Sequence, residues 1–347
     1  MANPGILIAL TSAALFGAST PFAKLLLDTI DPWLLAGLLY LGAGIGLAAL
    51  RLCQSALGIP RGEARLQRAD LPWLALVVVA GGITGPVLLM FGLARTDAAS
   101  ASLLLNLEGL ATMLIAWTAF RENVDKRLLI GAMAILAGAV FLSWQGAATV
   151  NLGAGLIALA CLCWGIDNNL TRKLASADPI QIAMIKGLGA GVVNLSIALT
   201  RGSEMPAPMT VLTSGVIGFL GYGVSLTLFI LALRYLGAAR TGAYFSLSPF
   251  VGATLAVLLL SEPVSLQLFI GGCLMAIGLW LHLTEQHAHD HTHRTMDHDH
   301  RHEHDDHHQH EHPPGTETTA PHSHPHRHGP LTHRHAHFPD LHHRHDH

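Results

Sequence analysis

The sequence predicts an all-α polytopic membrane protein: ten transmembrane helices in a 5+5 inverted repeat, followed by a disordered histidine-rich tail. Three observations carry this. Apolar runs of about 20 residues, the length that crosses a bilayer core as a helix, follow one another from Ile6 to Leu283. They belong to a chain that is 51% hydrophobic and 12% charged. A five-span unit occurs twice at a nearly constant offset. All 24 histidines lie at or after His282, so an apolar region and an imidazole-rich region are sharply separated.

Within hydrocarbon a spanning segment must satisfy its own backbone, which makes helices the default. The first span, 4–27, contains Pro21 and lacks the basic flank of a cleavable signal peptide, so it is expected to remain in the mature protein. The second, 32–52, opens on Asp31-Pro32 and ends at Arg51. The third, 71–93, contains Pro86, and the fourth, 97–119, carries Glu108 in LLLNLEGLATML. The fifth, 126–143, is short and holds Gly131 and Gly138. The sixth, 152–173, contains the polar run Asp167-Asn168-Asn169, and the seventh, 178–199, holds Lys186 and Asn194. The last three are 209–233, 239–260 with Ser248-Pro249, and 264–284. Their abundant small residues fit close helix packing.

Basic residues orient the chain. With the N-terminus inside, the inner loops hold Arg51, Arg61, Arg65, Arg68, Arg121, Lys126, Arg127, Arg172, Lys173, Arg234 and Arg240. The outer side holds Lys24, Arg95 and Arg201. Eleven against three satisfies the positive-inside rule, so both termini are expected to be cytoplasmic in a bacterial-type inner membrane. Trp33 and Trp144 then fall near the outer interface, and Trp73, Trp117 and Trp280 near the inner one, as in an aromatic belt. The cysteines, Cys53, Cys161, Cys163 and Cys273, form no framework. Cys161 and Cys163, two apart, face different sides of a helix.

Residues 93–142 align without a gap to 233–282 at an offset of 140. Glu122 falls on Glu262, Val124 on Val264, Ile130-Gly131 on Ile270-Gly271 and Gly138 on Gly278. Earlier, Phe16-Gly17 matches Trp164-Gly165, Asp31-Pro32 matches Asp178-Pro179, and Gly42-Ala43-Gly44 matches Gly189-Ala190-Gly191. An odd number of spans per copy inverts the second in the membrane, an arrangement of secondary transporters that bind substrate near the midplane. The chain thus divides into two domains, 4–143 and 152–284, and a tail, 285–347. No phosphate loop, nucleophile arrangement or HExxH spacing supports an enzyme.

The closing segments of the two copies, FRENVDKRLLIGAMAILAGAVFL and LSEPVSLQLFIGGCLMAIGLWL, give residues 4–284 a resemblance to the EamA branch of the drug/metabolite transporter superfamily. That resemblance implies ten helices, a central cavity and export of small solutes by alternating access. The ninth span has Ser248-Pro249 where family members often keep proline in both copies. The fourth has Glu108-Gly109, placing a carboxylate where a structural residue is expected.

Ionisable groups within a span cost several kcal/mol and are functional candidates. Asp167 and Lys186 each lie about 10 Å from the inner end of their spans at about 1.5 Å per residue, so adjacent antiparallel helices can pair them as a gate. Asn168, beside Asp167, lines a wet cavity or bridges helices; Asn194 suits bridging better. Glu108, two residues after Asn106, has no evident partner. Desolvation favours a protonated carboxylate, which suits a group alternating between proton and cation, or one that stays neutral and bonds a neighbouring helix. The transport and coupling candidates are therefore Glu108, Asn106, Asp167, Asn168 and Lys186.

Imidazole is a common ligand of zinc, nickel and cobalt. The first tail block offers His287, His289, His291, His293, His298, His300, His302, His304, His307, His308, His310 and His312. The second offers His322, His324, His326, His328, His333, His335, His337, His342, His343, His345 and His347. The linker PPGTETTAP separates them. Beyond His282, five Arg stand against eleven Asp and Glu, a formal charge of −6. An unperturbed imidazole, with a pKa of about 6.5, is roughly one quarter protonated at pH 7, so protons compete with metal.

The leading expectation is a secondary transporter exporting a divalent transition metal. Nickel and cobalt come first because the chain is similar to histidine-tailed EamA proteins associated with resistance to those metals; ligand chemistry leaves zinc equal. The alternatives are a metabolite or amino-acid exporter whose tail senses metal or pH, and a membrane-anchored metal buffer. No cofactor is required. The expected partners are the bilayer and a solute or metal ion, with a homodimer allowed and nucleic acid excluded.

Overall fold

The computed structural model describes residues 4–58, 66–120, 126–144, 151–171, 173–174, 177–284, 288–293, 296–302, 322–328 and 331–336. The helices are α1 (Pro4–Leu26), α2 (Pro32–Ala56), α3 (Leu71–Val77), α4 (Gly85–Leu93), α5 (Ala98–Leu104), α6 (Leu107–Phe120) and α7 (Lys126–Ser143) in the first copy. The second copy holds α8 (Leu152–Thr171), α9 (Pro179–Thr200), α10 (Pro208–Gly218), α11 (Ser225–Phe245), α12 (Ser248–Leu260) and α13 (Leu266–Leu283). Among the described residues eight helical stretches are long and apolar enough to cross a membrane. The apolar helices 248–260 and 266–282 are shorter.

Repeated sequence features do repeated structural work. Asp31 caps α2 by accepting from Trp33 N and Leu34 N, and Asp178 caps α9 by accepting from Ile180 N and Gln181 N. In each case proline takes the first helical position, where it sacrifices no hydrogen bond. Asp178 also pairs with Arg51 at the end of α2. The copies interleave: α1 packs on α11 and α12, while α8 packs on α4 and α6. α2 crosses α9, and α7 lies along α13. The α2–α9 crossing depends on glycine. A Cβ on Gly187 would come within 2.6 Å of Gly44 N, and one on Gly44 would meet the Leu188 backbone.

Large apolar side chains cover the outside, among them Leu52, Met209, Leu258 and Leu266, as a bilayer-facing surface requires. Lys173 lies over Trp73 and Arg127 over Trp280, while Arg201 lies over Trp33 at the opposite end of the bundle.

The spans depart from their expected form in three ways. The third and eighth each contain a π-helical turn, Val78–Thr84 and Phe219–Val224. The fourth breaks between α5 and α6 at Leu105-Asn106, where the backbone closes three-residue turns onto Ser102 O and Leu103 O. Finally, the boundary expected between spans eight and nine, near 233–239, lies inside α11, and the interruption comes instead at Ser246-Leu247. At an offset of 140, Asp97, which caps α5 through Ser100 N, corresponds to Gly237. The second copy has no side chain there to start a new helix.

The tail also differs from the disorder expected of it. Strands β1 (Ala288–His293) and β4 (Leu331–Ala336) pair antiparallel, as do β2 (Met296–His302) and β3 (His322–His328). Histidine at every second position has the period of a strand, and the two blocks are long enough to meet across their linker. The register sets His291 opposite His333 and His300 opposite His324. Two-stranded pairs of this kind are marginal in water unless something else holds them.

Gly44→Val should destabilise the detergent-solubilised protein by about 1–3 kcal/mol, the usual cost of overpacking. Gly155→Ala, where an added Cβ meets nothing within 4 Å, should leave its melting temperature unchanged.

Candidate functional site

Pro86 sets the local architecture. It has no N–H, so the carbonyls one helical turn behind it lose a backbone partner. Gly85 N instead reaches Ala80 O across the π turn. The freed Gly81 O accepts from Tyr40 Oη at 2.8 Å and Trp164 Nε1 at 3.0 Å. Gly82 O accepts from Asn194 at 3.3 Å, so Asn194 has the bridging role expected of it. Three helices are thereby tied to one irregular turn. Gly81 also leaves room for Asp167, because a Cβ there would overlap its carboxylate.

Asp167 pairs with Lys186, and both side chains are buried, at 5% and 6% exposure. The other oxygen of Asp167 accepts from Thr171 Oγ1 at 3.0 Å. The pair inferred from depth is therefore formed. Asn168 faces the other way, toward α6, donating to Glu108 Oε1 at 2.9 Å. Thr112 Oγ1 lies 3.2 Å from the same amide nitrogen. Glu108 occupies the first turn of α6, just past the break in span four. There the positive end of the helix dipole favours negative charge.

Glu108, Asn168, Asp167 and Lys186 border one partly open cavity. Six aromatic residues, Phe16, Tyr40, Trp164, Tyr222, Phe229 and Phe245, line it together with small and aliphatic residues such as Ala43, Ala183 and Leu226. Phe16 lies at the centre of this wall, with ring centroids 6.1 Å from Trp164, 5.9 Å from Tyr222 and 5.3 Å from Phe245.

Asn106 does not join the site. Its amide bonds Leu103 O at 2.9 Å and faces Met275 Sδ at 3.8 Å, so it stabilises the break and does not line the cavity. The aromatic wall was missed in the sequence. Its signals were two mid-span tyrosines, Tyr40 and Tyr222, and Pro86 following Gly81-Gly82.

No group of three or more His, Cys, Asp and Glu suited to a metal gathers among the described residues. Cys161 is buried against Leu104 O. Of the tail candidates, His289, His291, His293, His298, His300, His302, His322, His324, His326, His328, His333 and His335 lie on the strands. His287, His304, His307, His308, His310, His312, His337, His342, His343, His345 and His347 lie outside the described residues.

The chain has counterparts among known proteins. A family model for EamA-like transporters matches residues 3–144 and again 151–284. The chain belongs to the EamA-like transporter family. An uncharacterized transporter of Methanothermobacter thermautotrophicus is 32% identical over 293 residues, covering 80% of this chain and 85% of the relative. A Streptantibioticus cattleyicolor protein described as "Probable terminal-alkyne amino-acid exporter" is 27% identical, over 69% of this chain and 83% of its own. One crystal structure superposes with a TM-score of 0.61 at 19% identity, covering 82% of this chain and 99% of its own; this likeness concerns fold alone. This EamA-like chain is a membrane transporter, with the bilayer and a small solute as its partners.

The buried pair makes a stability prediction. Asp167→Asn or Lys186→Met alone should cost about 3–5 kcal/mol by leaving an unpaired buried charge. The double variant should recover much of that in thermal unfolding of the solubilised protein. Equal, additive losses would mean that the pair is not coupled.

Proposed function

We propose that this EamA-like transporter exports a small organic solute bearing a cationic amine, of the amino-acid type. One observation supports the reading above others: Glu108 faces an aromatic-walled cavity with a neutral amide as its partner, while Asp167 neutralises the one cavity lysine. A carboxylate opposite aromatic faces suits an ammonium group through charge and cation–π attraction. Asn168 orients Glu108, and the apolar wall takes the side chain. Protonation of Glu108 after substrate release returns the empty site without a bare buried charge. The amino-acid exporter among the relatives agrees with this cargo class.

We further propose ten membrane crossings, α11 and α12 together supplying the eighth and ninth, with both termini cytoplasmic by the positive-inside count. The second copy is then inverted relative to the first.

Metal export is the weaker reading. The cavity offers a cation carboxylate and amide oxygens, and among the described residues no imidazole or thiolate lines it; those softer ligands are what hold nickel, cobalt or zinc firmly. We therefore assign metal to the tail, as a sensor or buffer attached to an amine exporter. The tail lies outside the transport path.

Two measurements separate these roles. In proteoliposomes, Glu108→Gln should reduce counterflow of an amine-bearing amino acid by about tenfold or more, as expected for a charged hydrogen bond worth about 1.5–3 kcal/mol; unchanged flux would refute the site. Deleting residues 285–347 should abolish nickel binding by calorimetry and leave amine flux intact. Loss of that flux on deletion would place the tail in the transport path.

A further inference from the structure

The cavity holds spare hydrogen-bonding capacity of both signs. On its acidic side, Glu108 accepts from Asn168 through Oε1, and among the described residues Oε2 has no donor. On its basic side, Lys186 gives a proton to Asp167 Oδ2. An ammonium carries three donor protons, and among the described residues that of Lys186 makes no other bond. Both side chains line the cavity. Their partners Asn168 and Asp167 are consecutive on α8 and so lie about 100° apart around it.

The other side-chain donors on the wall are committed. Tyr40 Oη and Trp164 Nε1 both go to Gly81 O. Ser225 Oγ goes to Ser12 O, and the Asn168 amide to Glu108 and Thr112. The Tyr222 hydroxyl, beside Ser19, carries no charge. An anionic group entering the cavity is therefore met by Lys186. The wall around that ammonium is built of small residues. Ala183 and Gly187 lie three residues before and one after it on the cavity side of α9, and Ala43 comes from α2, which crosses α9 at Gly44 and Gly187.

We propose that Lys186 is the subsite for the carboxylate of the cargo, so that the cavity takes an amino acid as its zwitterion, ammonium on Glu108 and carboxylate on Lys186. The subsite rests on the amine reading above and adds a second recognition group to it. Charge balances in both states. In the empty site Glu108 is protonated and Asp167 pairs with Lys186. When the zwitterion enters, two carboxylates face one ammonium, and like charges disfavour ionisation of both. Asp167, which keeps Thr171 as a partner, takes up the proton that Glu108 releases on binding the amine. The cargo carboxylate replaces Asp167 on Lys186, and the site is neutral again.

Binding to the solubilised full-length protein separates this role from that of a purely structural pair. Leucine and isopentylamine differ by the carboxylate alone. By calorimetry the parent should bind leucine on the order of tenfold more tightly, as expected when a charged hydrogen-bonding partner is gained. In Asp167→Asn/Lys186→Met the two ligands should bind equally, whereas a pair that only joins helices would leave the parental ratio in place. Asp167→Asn alone strands the Lys186 charge, and a cargo carboxylate can take the vacant position. Leucine should therefore raise the melting temperature of that variant more than it raises the parent's, and isopentylamine should not. An unchanged ratio in the double variant, or equal rescue of Asp167→Asn by both ligands, overturns the subsite. If neither variant folds, the parent decides: equal binding of leucine and isopentylamine overturns the subsite and leaves the amine reading intact. N-acetylleucine, which keeps the carboxylate and loses the amine, tests that reading separately. Its binding as tightly as leucine would overturn the amine reading, and the zwitterion with it.

Discussion

The structure depends on how few charges an apolar bundle can hold and how each is neutralised. Lys186 is satisfied by Asp167, and Asp167 is completed by Thr171. With that pair closed on itself, Glu108 is the cavity carboxylate left to a neutral amide. The surrounding backbone obeys the same constraint. Gly81 has no side chain because Asp167 occupies the space, and its carbonyl is available because Pro86 cannot donate. Tyr40 and Trp164 answer that carbonyl and in doing so form part of the cavity wall. Charge neutralisation, a missing N–H and an aromatic surface thus belong to one arrangement.

Helix interruptions supply the rest of the site. Breaks at Leu105-Asn106 and Ser246-Leu247 fall within one residue of equivalent positions in the two copies, as do the π turns at Val78–Thr84 and Phe219–Val224. Irregular backbone at membrane depth is tolerated where it is buried in protein or lines a cavity. The two copies differ immediately after the break. Ser248-Pro249 restarts a helix by fixing its first turn, whereas Glu108-Gly109 puts a carboxylate at the helix start. The asymmetry gives an otherwise two-fold cavity one acidic side.

Much of this was legible in the sequence because it depends on periodicity and on rare residues. The helices, the repeat, the Asp-Pro caps and the Asp167–Lys186 pair can be read from apolar run length, fixed offsets and depth along a helix. The aromatic wall was not legible, since Phe16, Tyr222 and Phe245 read equally well as core until the helices are packed. Asn106 was misjudged for a related reason: a polar residue within a span satisfies a break as readily as it lines a cavity. The π turns gave only the faint signal of closely spaced glycines, Gly81-Gly82 before Pro86 in the first copy and Gly221 and Gly223, with no proline following, in the second. In the tail, alternating histidines read first as composition, while their period of two also matches strand pairing.

The cargo assignment rests on charge recognition at Glu108, and pairs of solutes that differ only at the amine test it most directly. In proteoliposomes containing the purified protein, an apolar amino acid should exchange across the membrane, while its N-acetyl derivative should neither exchange nor compete. Equal transport of the two, or transport of nickel in place of either, would contradict the account.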